Sequence, residues 1–180
     1  MQPEKRVYLS SLENDHIDRF ISLSDDPELV ATMGWRPFAA NDRERFLQWF
    51  QILTLPYLDT GRTMIFSIIC ADDHRAIGFL SIKGIRGTQA SAEVGIAIME
   101  KEYRGEGYGT EALMQAVDYA FEELGLNLLG LTVFPSNQRA IRAYEKVGFR
   151  KKELLKDSWI LPSGEHSDMW LMELARNELT

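Results

Sequence analysis

The stretch YRGEGYGTEAL, Tyr103 to Leu113, places three glycines within five positions directly ahead of a segment of good helix formers. Glycine loses more conformational freedom on ordering than any other residue, and a simple turn needs only one or two. Successive glycines between a strand and a helix let neighbouring amides face one way. The helix start adds its own unpaired N–H groups and the positive end of its dipole. Together these form an anion site that needs no lysine, because backbone dipoles meet the charge and the missing Cβ atoms let a phosphate approach closely. A tight turn of purely structural purpose is the competing reading. The order Gly105-Glu106-Gly107-Tyr108-Gly109 fits neither the dinucleotide fingerprint, which has a further residue before its third glycine, nor the P-loop, which needs Gly-Lys-Ser/Thr.

Upstream of the loop, Met64–Cys70, Ala76–Ile82 and Ala92–Met99 are apolar and rich in β-branched residues, and polar or glycine-bearing turns, ADDHR and KGIRGTQ, separate them. They read as an antiparallel meander. Downstream, Ala112, Leu113, Ala116, Val117, Ala120, Phe121 and Leu124 form one continuous helical stripe that Gly125 ends. A short strand, Leu128–Phe134, stops at Pro135, a helix follows over Asn137–Val147 with Gly148 beyond it, and strands around Phe149–Ile160 and His166–Leu174 flank the turn LPSGE. The first quarter reads as helical, with one candidate at Glu13–Ser24 and a second capped by Asn41 and carrying Phe46, Leu47, Trp49, Phe50 and Leu53. Between these two lies the aromatic loop MGWRPFAA. The order predicts a mixed α/β sheet with helices on both faces, and ligands often bind at such strand-to-helix junctions.

The chain has 180 residues, 45% hydrophobic and 26% charged, which is ordinary for a soluble globular protein with one well-buried core; a single domain over 1–180 is expected. The longest apolar run, Met64–Cys70, is far too short to span a bilayer, and no basic region followed by an apolar run opens the sequence. A lone cysteine, Cys70, excludes an internal disulfide and reads as core packing, so a reducing cytoplasm is the expected location and no membrane partner is expected. A net charge of −7 argues against nucleic-acid binding and favours a cationic partner. The basic residues do gather late, at Arg139, Arg142, Lys146, Arg150, Lys151 and Lys152, where an acidic protein can hold one polyanionic ligand; a solvated helix face explains the same pattern. His16, His74 and His166 lack metal-ligand spacing and are expected at the surface, so no metal site is expected.

Arg104-Gly105-Glu106-Gly107-Tyr108-Gly109, followed by Thr110, resembles the Arg/Gln-x-x-Gly-x-Gly/Ala signature of the GNAT superfamily of acetyl-coenzyme A-dependent N-acetyltransferases. AEVGIAIMEKEYRG is similar to the family's fourth strand running into that loop. VFPSNQRAIRAYEKVGF is similar to its later strand–helix motif, Asn-x-x-Ala-x-x-x-Tyr-x-x-x-Gly-Phe, met in full by Asn137, Ala140, Tyr144, Gly148 and Phe149. The resemblance covers about Met64 to Leu174 and implies a central mixed, mostly antiparallel sheet of about seven strands flanked by four helices. The early helices would take the acceptor-binding position, and acetyl-coenzyme A would be the cosubstrate.

The resemblance also implies roles. The amides of residues 104 to 110, Arg104 through Thr110 with Glu106 and Tyr108 among them, would hold the coenzyme A pyrophosphate. The pantetheine arm would lie along the fourth strand, pairing with the backbone of Ile96, Ile98 and Met99. On the later helix Asn137, Ile141 and Tyr144 share one face, so Asn137 and Tyr144 can reach one ligand beside Ala140, while Asn137 also suits an N-cap. Tyr144 is the candidate acid for the leaving thiolate, and a backbone amide of the fourth strand suits the oxyanion. Glu93 is the candidate base, acting directly or through water, with a solvated strand-end carboxylate as the other reading. Arg139 and Arg142 can meet coenzyme phosphates or simply face solvent.

The tail ELLKDSWILPSGEHSDMWLMEL resembles the terminal hairpin of the branch holding ribosomal-protein N-terminal and spermidine acetyltransferases. The acidic surface suits a polyamine, the loop around Trp35 and Phe38 suits a peptide groove, and an aminoglycoside-type amine is a third acceptor class. A non-catalytic acyl-coenzyme A sensor and a plain interaction domain are the other classes of function. Pairing of terminal strands into a homodimer is compatible with such a fold.

Overall fold

A computed structural model describes residues 5–52, 61–85 and 90–179. In chain order the elements are β1 (Val7–Ser11), α1 (Asn14–Ser22), α2 (Pro27–Met33), α3 (Arg43–Trp49), β2 (Arg62–Cys70), β3 (Ala76–Ile85), β4 (Ser91–Ile98), α4 (Tyr108–Asp118), β5 (Leu128–Val133), α5 (Gln138–Val147), β6 (Arg150–Ile160) and β7 (His166–Ala175). The strands form one sheet in the order β1-β2-β3-β4-β5-β7-β6, antiparallel throughout except for β4 against β5. This is the mixed, mostly antiparallel seven-stranded sheet expected, with five α-helices among the described residues where four were expected.

Two short elements escape the sequence reading. The strand β1 has five residues, too few for alternation to stand out, and it becomes a strand by pairing with β2 through Val7–Cys70 to Ser11–Phe66. The helix α2 has seven residues, so it too shows no periodicity. Its ends are nevertheless written in the chain: Asp26 accepts the amides of Glu28 and Leu29, Pro27 opens the first turn, and Gly34 closes it at φ +62°. One residue separates the expected cap of α3 from the observed one, Asp42 instead of Asn41, and Asp42 accepts the amide of Ala39; Leu53 lies outside the described residues. The strong helix is regular only to Asp118, after which Tyr119–Glu123 widens into a π turn ahead of Gly125.

Alternation along the strands sorts the apolar residues into two cores. Ile68, Cys70, Ala92 and Val94 face α4 and α5, whereas Ile69, Ala97 and Met99 face α1 to α3. Phe79 is the hub of the second core, with ring centroids of Phe50, Phe20, Phe46, Trp35 and Trp49 between 4.9 and 6.3 Å away. Trp35 and Phe38 are buried here, and the Trp35 indole donates to Ser24 O at 3.1 Å. The expected groove lining by these two residues is therefore corrected: they are core, because the sheet face beneath α1 and α3 needs their area.

Polar contacts tie the layers together at one point. Arg104 is buried, its side chain only 3% exposed, and its guanidinium donates to Ile98 O (2.9 Å), Met99 O (2.5 Å), Asp26 Oδ1 (2.8 Å) and Glu28 Oε2 (3.0 Å). The cap of α2 is thereby joined to the end of β4. Burial alone would raise the carboxyl pKa values of Asp26 and Glu28, but the Arg104 hydrogen bonds and charge, with Arg139 at Glu28, hold both below their ordinary 3.8 and 4.5.

Two outcomes follow. Phe79→Ala should cost about 3–5 kcal/mol in urea unfolding, because Phe79 is fully buried at the centre of five packed rings. Arg104→Met should lower stability at pH 7 by about 3 kcal/mol, since it leaves the Ile98 and Met99 carbonyls without their donor and removes the ion pairs to Asp26 and Glu28. The depressed carboxyl pKa values add stability that is present above the unfolded values and lost as pH falls through the lower folded ones. The gap between wild type and Arg104→Met should therefore begin to narrow below about pH 4, leaving the part due to the Ile98 and Met99 carbonyls.

Candidate functional site

The site grows from a parting of two strands. Between β4 and β5 the pairing is confined to Ser91–Leu128, Ala92–Leu129 and Glu93–Gly130, after which the strands diverge. On its other edge β4 stays paired with β3 through Gly78–Ile98. The Met99 amide donates to Ile77 O at 2.8 Å, and antiparallel hydrogen-bonded pairs alternate, so Ala97 and Gly95 point their backbone groups at β3 while Ile98 and Ile96 point theirs into the gap. Ile96 and Ile98, expected to pair with the pantetheine arm, thus turn backbone groups into the gap. Met99 does not join them: Ile77 takes its amide and Arg104 takes its carbonyl.

The gap opens into a cleft of about 530 Å³ between β4 and the loop before α4 on one side and β5 and α5 on the other. Of the loop residues, Arg104, Gly105, Gly107, Gly109 and Thr110 line it, whereas Glu106 and Tyr108 do not. Gly105 and Gly107 take φ values of +82° and +90°, a region that side-chain-bearing residues avoid. Gly109 is helical, and a Cβ there would sit 3.4 Å from Ile98 Cγ1. Two of the three glycines are thus required by backbone conformation, and the third keeps the start of α4 close to β4. The Arg104 amide donates to Lys101 O at 3.2 Å and the Glu111 amide to Gly107 O at 3.0 Å; among the described residues no acceptor takes the amides between them. The amides left without an acceptor among the described residues therefore run from Gly105 to Thr110, and Arg104 contributes its buried side chain as a brace instead.

Across the cleft, Asn137 caps α5 by accepting the Ala140 amide at 3.2 Å, which leaves its NH₂ group as a donor. Asn137, Ala140 and Tyr144 all line the cleft. Tyr144 packs edge-on against Phe149 at 6.1 Å, and among the described residues its hydroxyl has no hydrogen-bond partner. Burial pushes its pKa up to about 12, so the phenol is protonated throughout the physiological range. Arg139, Arg142 and Lys146 also line the cleft, and Arg139 forms an ion pair with Glu28.

At the other end Glu93 is buried, not solvated as a strand-end carboxylate would be, because β4 is paired there with both β3 and β5. Its Oε1 lies 2.8 Å from Lys83 Nζ, directly opposite on β3, and that ammonium also donates to Ile52 O at 2.8 Å. Lys83 went unnoticed in the sequence; a lysine within the apolar run of β3 was its signal, but the register that pairs it with Glu93 depends on the turn between the strands. Trp49 and Trp159 form the aromatic walls that Trp35 and Phe38 were expected to supply, and the Trp159 indole donates to Gly34 O at 3.2 Å. Away from the cleft, Glu13, Asp15 and His16 bring ligand-type atoms within 4.8 Å of one another, with His16 Nδ1 2.8 Å from Ser67 Oγ. No helix among the described residues is long and apolar enough to cross a membrane.

Comparison with known proteins agrees with this geometry. Residues 6–150 match the family model described as an acetyltransferase (GNAT) domain. The probable N-acetyltransferase YjcK of Bacillus subtilis (strain 168) is 39% identical over 154 residues, covering 85% of this chain and 77% of that protein. The uncharacterized N-acetyltransferase p20 of Bacillus licheniformis is 27% identical over 175 residues, 97% of this chain and 95% of that one. Among solved structures, the spermidine N-acetyltransferase from Vibrio cholerae in complex with CoA and spermine superposes with a TM-score of 0.80 at 22% identity, over 97% and 98% of the two chains. A seven-stranded sheet that splays at a glycine-rich helix start, a family model matched over most of the length and relatives named for the same activity lead to one conclusion: the chain belongs to the GNAT family of acetyltransferases and is an N-acetyltransferase.

Proposed function

We propose that the protein transfers an acetyl group from acetyl-coenzyme A to a primary amine, either a polyamine or the N-terminus of a peptide or protein, by direct attack of the amine on the thioester. The observation that carries this reading is the juxtaposition of three things around one cleft: the edge of β4 at Ile96 and at the Ile98 amide, the amides of Gly105 to Thr110, and the hydroxyl of Tyr144, which has no partner among the described residues. The amides and the dipole of α4 suit a diphosphate, the strand edge suits the amide-bearing pantetheine arm, and Arg142 and Lys146 add positive charge. The Vibrio cholerae enzyme with its CoA and spermine supports the same class of substrates.

The residues divide the chemistry. A neutral amine attacks the acetyl carbonyl, a β4 amide donates to the developing oxyanion, the attacking nitrogen loses a proton, and the departing sulfur gains one. The burial that lifts the Tyr144 phenol to about 12 also disfavours a bare thiolate leaving in the same cleft, so Tyr144 donates a hydrogen bond to the departing sulfur as the candidate acid. The proton lost by the nitrogen restores the balance through solvent or through Glu93. Glu93, held 2.8 Å from Lys83 Nζ at the end of the cleft, is the candidate to receive that proton directly or through water.

Thiol release from acetyl-coenzyme A, followed across spermidine, N-terminal peptides and aminoglycosides, tests the reading; coenzyme binding with no amine-dependent release would point to the sensor class instead. Tyr144→Phe should lower kcat by about 10- to 100-fold, the worth of one hydrogen bond to a charged group, with KM for acetyl-coenzyme A within about twofold. Because the phenol titrates near 12, wild-type kcat should show no alkaline fall below pH 10 that Tyr144→Phe abolishes. Glu93→Gln should depress kcat/KM more for a lysine-like amine, pKa about 10.4, than for an α-amine near 8, which needs less help in losing its proton. Equal losses on both acceptors would remove Glu93 from proton transfer.

A further inference from the structure

The segment before β1 reaches the outer side of the glycine loop. Arg6 is anchored there by Glu111 in the first turn of α4: the Arg6 amide donates to Glu111 Oε1 at 2.7 Å and its Nε to Oε2 at 3.2 Å. Its guanidinium lies over the ring of Tyr108, 4.6 Å from the centroid, and Tyr108 in turn packs edge-on against Tyr103 at 5.2 Å. From this seat Nη1 donates to Glu106 O at 3.1 Å, and Nη2 would stand 3.1 Å from a Cβ built on Gly107. Arg6 does not line the cleft, whereas Gly105 and Gly107 do.

The peptide joining Glu106 to Gly107 is trans, so its carbonyl and its N–H point in opposite directions. A cation that holds the Glu106 carbonyl on the outer side turns the Gly107 amide away from itself. Gly107, at φ +90°, has no side chain to hold that orientation, and a glycine-flanked peptide flips more readily than any other. Glu111 sits at the positive end of α4, where its charge would compete with a bound anion, and the ion pair with Arg6 offsets that charge. We infer that Arg6 is a positioning residue for the thioester substrate: it pins the Glu106–Gly107 peptide so that the Gly107 amide serves the diphosphate, and it neutralises Glu111 beside that site. The inference rests on the reading of the loop as the diphosphate cradle.

The test compares two donors, acetyl-coenzyme A and S-acetylpantetheine, which carries the same thioester arm without the diphosphate. Arg6→Ala should raise KM for acetyl-coenzyme A by about tenfold, the scale of one charge-assisted hydrogen bond, with kcat within about twofold. Its KM for S-acetylpantetheine should match the wild type. Arg6→Lys keeps the charge but loses the fork, so it should recover only part of the loss. An Arg6→Ala enzyme with unchanged KM for acetyl-coenzyme A, or one that loses equally on both donors, overturns the inference, as does full rescue by Arg6→Lys. A wild type that fails to prefer acetyl-coenzyme A over S-acetylpantetheine would instead overturn the diphosphate reading of the loop, so the two failures are distinct.

Discussion

Strands β4 and β5 share three residue pairs and then separate, and the cleft between β4 and α5 depends on that loss of pairing. A backbone edge left open within a sheet carries N–H and C=O groups that need partners. Part of the need is met internally, because Arg104 takes the carbonyls of Ile98 and Met99. The rest, at Ile96 and at the Ile98 amide, faces a cleft whose opposite wall is α5. An extended, amide-bearing arm is the chemical complement of such an edge, and it would complete the sheet where β5 does not.

The same divergence sets the electrostatics. The chain carries a net charge of −7, yet the end of the cleft near α4 and α5 presents Arg142, Lys146 and the first amides of α4. Carboxylates near this end are matched: Asp26 and Glu28 by Arg104 and Arg139, and Glu111 by Arg6. At the far end Lys83 matches Glu93. An acidic protein can therefore hold a polyanion in one place without repelling it, and its remaining surface still attracts cations.

Much of the site lay open in the chain. Gly105 and Gly107 announce positive φ because only glycine tolerates it cheaply, and Asn137, Tyr144 and Gly148 mark a helix with a cap, an inward face and a stop at spacings that local geometry alone sets. The stripe on α4 and the alternation of β2 to β4 follow from burial on one side, so the mixed sheet with helices on both faces was legible too. β1 and α2 were not, since elements of five and seven residues are stabilised by what they pack against and carry too few positions for a period.

Other assignments belong to the tertiary structure alone. Trp35 and Trp49 are both tryptophans near an aromatic loop, and only the packing around Phe79 decides that the first is core and the second lines the cleft. Met99 looks like a continuation of Ile96 and Ile98, but the register with β3 spends its amide on Ile77. Arg104, Glu93 and Arg6 find their charged partners at separations of 10 to 105 residues, so no local pattern reveals that one ties α2 to β4, one is buried against Lys83, and one seats behind Gly107. The sequence by itself determined which backbone must bend and which faces must be buried, because those are local consequences of side-chain size and polarity. Which charged group meets which, and where the sheet parts, was decided only when distant segments came together.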